Sequence, residues 1–279
     1  MNWAGPAIVL SARAHGEGAA IAQVLSREHG RYAGLVHGRR GKGAALQPGA
    51  LVEAKWRARL AEHLGVLTLE LQTARTGAAL EDRFTLAGLS AACAVAESAL
   101  PERDPHPAVY DGLDLMLSHL GDRALWPALY VRWEMGLLAE LGFGVAAAGT
   151  RAPRFMSPPS LWEGEGGGIA KNSVHGAIPH PRIKSGAGSN PPPEGEGARR
   201  REFPELTVRD GAREFPIPRF LSGGGLGNGP SWVDIVEGLA LTGHFLGARL
   251  YAAHNAGLPD ARVRLADEAA RLAKAEASA

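Results

Sequence analysis

Hydrophobic and polar residues alternate along the first part of the chain, up to about residue 74, with the period of two that is typical of β-strands. In residues 51–60 the apolar positions are Val52, Ala54, Trp56, Ala58 and Leu60, and the charged positions between them are Glu53, Lys55, Arg57 and Arg59. Residues 66–72 repeat the alternation, with Leu67, Leu69 and Leu71 on the apolar side. Earlier apolar runs bounded by glycine bring the total to about five strands, which predicts a small β-barrel or sandwich.

From about residue 78 the apolar positions take the spacing of amphipathic α-helices. In residues 106–121 one apolar stripe falls at i, i+4, i+7, i+8 and i+11, and its members are Val109, Leu113, Met116, Leu117 and Leu120. Residues 123–144 predict a helix that ends at Gly142, a typical C-terminal cap. Residues 80–100 predict a largely buried helix, in which Cys93 is a small core residue. The predicted fold class is therefore α+β, with a barrel followed by a mainly helical part.

Residues 152–201 differ in composition from the rest of the chain. Eight prolines and nine glycines occupy these 50 positions, a share that is typical of disordered segments. Two similar stretches occur in it, PPSLWEGEGGG from Pro158 and PPPEGEG from Pro191. We interpret the segment as a disordered insertion, and we expect the rest of the chain to fold without it.

After the insertion, the sequence again predicts ordered elements. A hairpin is predicted around Asp210-Gly211, and Ser231 with Asp234 forms a capping box that opens a helix running to about His254. An amphipathic helix with a fraying end is predicted for residues 260–277. These patterns divide the chain into a barrel at 1–77, a first helical part at 78–151, the insertion at 152–201, a second helical part at 202–256 and a C-terminal helix or tail at 257–279.

The composition is that of an ordinary globular protein, with 45% hydrophobic and 21% charged residues. No apolar run of about 18 residues predicts a membrane span, and the first residues do not have the pattern of a secretory signal, so we expect a cytoplasmic protein. The chain has one cysteine, which excludes an internal disulfide and a multi-cysteine zinc site. Its ten histidines have no metal-ligand spacing, so we expect no metal and no cofactor.

A basic, glycine-rich segment, GRYAGLVHGRRGKGAALQPG at residues 30–49, raises the question of a phosphate-binding loop. A P-loop needs glycine five positions before the second glycine of its motif and Ser or Thr after the lysine. Val36 and Gly43 occupy these positions, so the nucleotide-enzyme interpretation fails. The stretch KSGAGS at 184–189 lies in the predicted insertion, which offers no rigid oxyanion hole for a nucleophilic serine. The sequence therefore does not indicate an enzyme.

The charges are sorted along the chain: residues 1–74 have a net charge of +4 and residues 75–151 a net charge of −4. A basic barrel is an expected contact for a nucleic-acid backbone. The candidate phosphate contacts are Arg31, Arg39, Arg40, Lys42, Lys55, Arg57 and Arg59. Because Trp56 is predicted to face the core, aromatic stacking platforms are few, and we expect binding that is indifferent to base sequence. Neutralising about four or five phosphates would give a log–log salt slope of roughly −3 on single strands.

Several short motifs, taken together and in order, resemble the RecO family of recombination and DNA-repair mediators. They are Glu17, Gly30-Arg31, Gly38-Arg39-Arg40, Leu46-Gln47-Pro48, Arg132-Trp133-Glu134, Leu137-Leu138 and Leu141-Gly142-Phe143-Gly144. The resemblance covers residues 1–150 and, more loosely, 203–255, whereas the insertion has no counterpart. It implies an N-terminal OB-fold that precedes a helical domain, and a protein that is not an enzyme.

The resemblance also implies partners. It implies binding to single-stranded and double-stranded DNA, annealing of single strands, association with the nucleoid, and action with RecR, RecF and RecA. It further implies binding of the C-terminal tail of single-stranded DNA-binding protein (SSB), and it assigns Arg132 to that tail. Family members often carry a four-cysteine zinc module near residues 148–210. This chain has no such cysteines, so we expect the hairpin at 202–221 to be held by packing alone.

Two classes of function stay open on sequence alone. One is the recombination mediator, and the other is an OB-fold protein–protein adaptor whose basic face is incidental. A single-stranded DNA titration across a salt series separates them, because only the first requires direct DNA binding. Arg132 is likewise either a tail contact or an ordinary helix-surface charge that pairs with an acidic residue one turn away.

Overall fold

In the computed structural model, the residues that can be described are 1–38, 43–60, 63–144, 207–221 and 229–278. The predicted insertion at 152–201 lies outside them, as do the candidate cations Arg39, Arg40 and Lys42. The strands are β1 (Asn2–His15), β2 (Ala19–Ser26), β3 (Gly30–His37), β4 (Leu51–Arg57), β5 (Val66–Thr73), β6 (Thr207–Asp210) and β7 (Arg213–Pro216). The α-helices are α1 (Thr76–Leu80), α2 (Arg83–Ala99), α3 (Pro107–Ser118), α4 (Trp126–Glu140), α5 (Trp232–Phe245) and α6 (Asp260–Ala277).

The first five strands form a closed barrel in the order β1-β2-β3-β5-β4. All neighbours are antiparallel except β3 and β5, which run parallel and pair at Leu35 and Val66. Strand β1 is long enough to pair with β4 through its first half and with β2 through its second half. A register shift between Val9 and Ser11 lies in the half that pairs with β2, just after the last pair with β4 at Ile8, and such a bulge allows a strand to bend. The predicted barrel is confirmed, and its strand order is that of an OB-fold.

Alternation along the strands separates the barrel interior from its surface. Trp56 is 2% exposed, and its indole N–H donates to the carbonyls of Ala33 and Leu64 at 3.0 and 3.1 Å. Two predicted interior residues are not inside: Leu60 is 52% exposed and Leu71 is 42% exposed. Leu60 lies beyond β4, which ends at Arg57, and Leu71 pairs with β4 next to a register shift.

The helical part packs around α4. Most of the residues of this helix are buried, including Trp126 and Trp133. The stripe predicted for α3 is buried as expected, and Gly142 has the positive φ of +82° that ends α4. Cys93 is a buried core residue, and burial raises the pKa of its thiol to about 12.

The C-terminal elements follow the predicted order. Strands β6 and β7 form the expected hairpin, and Ser231 caps α5 in a capping box. A π-helix (Leu246–Tyr251) and a 3-10 helix (Ala252–His254) extend α5 to the predicted end. The predicted last helix is present as α6, which continues to Ala277, and its Glu276 accepts a hydrogen bond from the Trp232 backbone at 3.4 Å.

The helical part covers one outer side of the barrel. Ile8, Leu10 and Leu25 are buried in the core of the helical part and not in that of the barrel. Cys93 of α2 lies 3.9 Å from the Val9 carbonyl, measured at the sulfur. Because helices cover this side, a partner of the barrel must use the strand surfaces that remain open.

Candidate nucleic-acid interface

Two exposed cations lie side by side on the outer face of β4. Lys55 is flanked by Ala4 of β1 and Thr68 of β5, and Arg57 is flanked by Asn2 and Val66. These short neighbours leave a cleft of about 380 Å³ beside the two cations. Residues two apart on a strand are separated by about 7 Å, which suits successive phosphates of an extended single strand. The cleft is therefore a suitable contact for a phosphate backbone.

The same outer face becomes acidic toward the start of β4. Glu53 is the cross-strand partner of Glu70, and Gln72 donates a hydrogen bond to Glu53 at 3.1 Å. Two carboxylates on this surface repel a polyanion. A nucleic acid on β4 would therefore keep to the end that carries Lys55 and Arg57. Arg59 is exposed just beyond that end, in a bend that follows the strand.

Arg31 has a different environment from these three cations. Its side chain is only 14% exposed. It donates hydrogen bonds to the Leu100 carbonyl at 3.0 Å and to Gln23 at 3.1 Å, and it lies 3.4 Å from a Glu102 carboxylate oxygen. The Arg31 carbonyl also accepts from the Arg103 backbone at 2.9 Å. Arg31 therefore joins the barrel to the segment that follows α2.

Aromatic side chains cluster at the end of the barrel where β1 begins. Trp3 stacks on His29 with ring centroids 4.9 Å apart, and its edge contacts Tyr32 at 5.3 Å. Tyr32 in turn contacts Trp56 at 4.9 Å, and the Arg103 guanidinium lies over both of these rings. This packing turns the rings toward each other and supports the expectation that few are offered to nucleobases.

The Arg132 guanidinium contacts the region after the hairpin. Its Nε and one terminal nitrogen donate to the Phe220 carbonyl at 3.2 and 2.5 Å. Burial lowers the pKa of Arg132, since desolvation disfavours the charged form of a guanidinium. The structure thus places Arg132 where α4 meets the segment after β7, with two donors already engaged.

The hairpin is not held by packing alone, which corrects the expectation from the sequence. Asp210 accepts hydrogen bonds from His244 and Arg249, each at 2.8 Å. These two hydrogen bonds, first the one from His244, lower the pKa of the Asp210 carboxyl. Phe215 also packs on the His244 ring at 4.5 Å. Charged hydrogen bonds therefore fasten the hairpin to α5 and to the π-helix that follows it.

Sequence reasoning missed a buried ion pair and an exposed cation. The Arg262 Nε lies 2.6 Å from Oε1 of Glu134, and the side chains of Glu134 and Arg262 are 0% and 1% exposed. In the sequence, both residues resemble ordinary surface charges. Arg13, on the second half of β1, is 82% exposed, and its guanidinium lies 3.7 Å from a Glu97 carboxylate oxygen. No motif marks Arg13, because its neighbours on adjacent strands are distant in the sequence.

A second groove, of about 860 Å³, separates the barrel from the helical part. Arg13 and Arg31 contribute to one wall, and its apolar lining includes Leu141, Phe143 and Leu250. Its size and lining suit a peptide with apolar side chains.

Metal-ligating residues do not gather anywhere in the described part of the chain: groups of three or more His, Cys, Asp or Glu with suitable geometry are not found there. Among the same residues, no helix is long and apolar enough to cross a membrane.

Comparisons with known proteins agree with the two-part architecture. A family model described as "Recombination protein O N terminal" matches residues 1–74, and one described as "Recombination protein O C terminal" matches residues 80–148. A protein named DNA repair protein RecO from Rhodospirillum centenum is 41% identical over 269 residues, which is 96% of this chain and 94% of that protein. Proteins of the same name from Rhodospirillum rubrum and Cereibacter sphaeroides are each 38% identical, over 99% and 97% of this chain and 99% and 100% of their own lengths. The chain therefore belongs to the RecO family of DNA repair proteins.

Proposed function

We propose that this chain is a recombination mediator that binds and anneals single-stranded DNA and, with RecR and RecF, helps RecA to load onto SSB-coated DNA. Family membership gives it a general role in recombinational DNA repair. The observation that supports direct DNA binding most strongly is the cleft beside Lys55 and Arg57 on the open side of the barrel. The protein would act without catalysis of its own, in the cytoplasm and at the nucleoid.

The proposed DNA contacts differ in their support. Lys55, Arg57 and Arg59 are exposed on one end of the barrel. Arg39, Arg40 and Lys42 follow directly after β3 in the sequence and would extend the same positive field over single-stranded or double-stranded DNA. Arg31 would contribute through that field alone, since its guanidinium already holds the Leu100 carbonyl.

A salt titration tests the DNA contact. We expect the Lys55→Ala/Arg57→Ala variant to bind a labelled oligo-dT more weakly in fluorescence anisotropy, with a log–log salt slope that is smaller by about 1.4, because two phosphate contacts are lost. Arg83→Ala/Arg271→Ala is the matched control, because it removes two exposed cations that pair with Glu268 on the helical part. Equal slopes for wild type and the Lys55/Arg57 variant would contradict the proposed contact.

Annealing supplies a second test of the mediator. Complementary single strands should pair faster in the presence of the protein and without ATP, as followed by the quenching of a fluorophore pair. An absolute requirement for ATP would instead indicate an enzyme. The Lys55→Ala/Arg57→Ala variant should anneal more slowly, because binding precedes pairing.

The SSB tail is proposed to contact Arg132. Two donors of this guanidinium are engaged with Phe220, so a carboxylate of the tail would use the others in a charge-assisted hydrogen bond. Arg132→Ala should weaken binding of a peptide with the SSB tail sequence, and Arg132→Lys should restore part of it. Unfolding temperatures of both variants show whether an affinity change comes from a loosened Phe220 segment.

The alternative function is an OB-fold adaptor that binds proteins and does not bind DNA directly. The groove between the barrel and the helical part favours it, because its lining suits an apolar peptide. If wild type and the Lys55→Ala/Arg57→Ala variant bind DNA equally weakly at low salt, the adaptor becomes the better description.

A further inference from the structure

Outward side chains of three adjacent strands, β1, β4 and β5, form three cross-strand rows on one open face of the barrel. Strand pairing gives the rows Asn2, Arg57 and Val66; Ala4, Lys55 and Thr68; and Pro6, Glu53 and Glu70. The six residues of the first two rows all line the cleft beside the two cations. We call the third row the acidic row. Since successive rows are two residues apart along a strand, they are separated by about 7 Å.

The acidic row places two like charges directly opposite each other. Glu70 is exposed and Glu53 is half-buried. Gln72 donates a hydrogen bond to Glu53 at 3.1 Å, and this neutral donor leaves both charges in place. Because like charges at directly opposed sites destabilise a sheet, the pair does not stabilise the barrel. Its position beside a cationic cleft suits the exclusion of a competing ligand.

The net charge that a ligand meets on this face depends on the width of the ligand. The first two rows contain the cations Lys55 and Arg57, and the acidic row contains an equal number of carboxylates. A narrow anion that follows the first row stays about 14 Å from the acidic row, which exceeds the screening length of about 8 Å at physiological salt. An anion that covers all three rows meets no net charge.

Single-stranded and double-stranded DNA differ in this width. A duplex has two phosphate backbones, which are separated by grooves of about 6 and 12 Å. It carries one charge for about every 1.7 Å of its axis, twice the density of one strand. A duplex with one backbone on Lys55 and Arg57 therefore brings its second backbone toward the acidic row. A single strand has no second backbone and can keep to the cationic rows.

We propose that Glu53 and Glu70 select single strands by repelling duplex DNA from the cleft beside Lys55 and Arg57. This inference rests on the proposed DNA binding and adds the form of DNA that the cleft accepts. It also has a consequence for annealing. Because the product of annealing is the form that this face repels, the same two carboxylates favour release of the finished duplex.

Fluorescence anisotropy with an oligo-dT, and with the duplex that it forms with an oligo-dA, tests the selection. In the Glu53→Gln/Glu70→Gln variant the affinity for the duplex should rise by about fivefold and that for oligo-dT by less than about twofold, because only the duplex brings a backbone to these sites. The salt slope on the duplex should change little, since glutamine adds no cation. Glu70→Lys adds one and should increase that slope by about 0.9.

Release of the product supplies a second readout. The labelled duplex is bound to the protein, and an excess of unlabelled duplex is then added to trap free protein. The labelled duplex should dissociate more slowly from Glu53→Gln/Glu70→Gln than from wild type. Dissociation at the wild-type rate would contradict the proposed effect on release.

Glu81→Gln/Asp267→Asn is the matched control, since it removes two exposed carboxylates from the helical part. It should change both affinities by less than about twofold, because these charges are screened from the cleft. Equal gains on both forms of DNA, or no gain on the duplex, overturn the proposed selection. If Lys55→Ala/Arg57→Ala still loses oligo-dT binding in that case, the DNA contact stands and only the selection fails. If neither double variant changes DNA binding, the proposed contact fails as well.

Discussion

At the scale of single residues, Glu134 and Arg262 form a buried ion pair that is reinforced by further hydrogen bonds. Glu134 accepts from Arg262 at 2.6 and 2.9 Å, from Tyr130 at 2.8 Å and from Thr242 at 2.5 Å. Burial, followed by the charge of Glu134, raises the pKa of Tyr130 well above its usual value. The phenol therefore stays protonated throughout the neutral range and donates its hydrogen bond to Glu134. The pair connects α4, α5 and α6, which no nearby sequence pattern indicates.

Breaking this pair should be costly. Glu134→Ala leaves the Arg262 guanidinium buried without its carboxylate, and such losses destabilise proteins by about 3–5 kcal/mol. Urea unfolding followed by circular dichroism measures the change. Arg271→Ala, which removes an exposed partner of Glu268, is the control and should change stability by less than about 0.5 kcal/mol. A loss of under about 1 kcal/mol for Glu134→Ala would mean that water reaches the Arg262 site.

At the scale of elements, two glycines in helices should respond in opposite ways to alanine. A Cβ on Gly88 of α2 would lie 2.5 Å from the ring of Trp126, which is fully buried and cannot move aside. A Cβ on Gly77 of α1 meets nothing within 4 Å. We expect Gly88→Ala to lose about 1–3 kcal/mol by overpacking and Gly77→Ala to gain about 0.5 kcal/mol from helix propensity. Thermal unfolding of both variants checks the contrast, and a stabilising Gly88→Ala would contradict the close packing of α2 on α4.

The stability of the β6–β7 hairpin should depend on pH. The pKa of Asp210 is lowered in the folded protein by hydrogen bonds from His244 and Arg249, so its stabilising effect is complete above the unfolded value of about 3.9. The effect is lost as the pH falls through the lower folded pKa. Asp210→Asn should therefore expose the hairpin to limited proteolysis at pH 7, and its difference from wild type should shrink below about pH 4. A difference that is constant from pH 7 to pH 3 would contradict the role of this carboxylate.

The elements themselves were largely predictable because each has its own local period. Alternation at Val52, Ala54 and Trp56 identifies β4, and the leucine stripe identifies α3. The ends of the elements were not predictable. The alternation continues to Leu60 although β4 ends at Arg57, because a pattern of polar and apolar residues does not show where pairing with neighbouring strands stops. The cleft beside Lys55 and Arg57 could not be predicted either, because Ala4, Thr68 and Val66 come beside these cations only through the order and register of the strands.

At the scale of the whole molecule, close contacts join the barrel to the helical part. Arg27 and Asp111 form a double hydrogen bond at 2.7 and 2.9 Å. Gly30 has a φ of +78°, and a Cβ there would lie 2.3 Å from the Asp104 carbonyl oxygen. Only glycine fits such an approach between the two backbones. The start of the basic segment, Gly30 and Arg31, therefore contacts the helical part. The cations further along the segment remain candidate phosphate contacts.

Arg31 and Arg57 should separate stability from DNA binding. Arg31→Ala removes the donor of the Leu100 carbonyl and should cost about 1–3 kcal/mol, whereas Arg57→Ala removes an exposed side chain and should leave stability within about 0.5 kcal/mol. In anisotropy the order reverses: Arg57→Ala lowers the salt slope by about 0.7, and Arg31→Ala leaves it unchanged because no phosphate contact is lost. Urea unfolding and oligo-dT binding on the same two variants supply both values. If Arg31→Ala kept full stability but had a lower affinity and a smaller salt slope, the wild-type Arg31 guanidinium would contact DNA. Its hydrogen bond to the Leu100 carbonyl would then have to break when DNA binds.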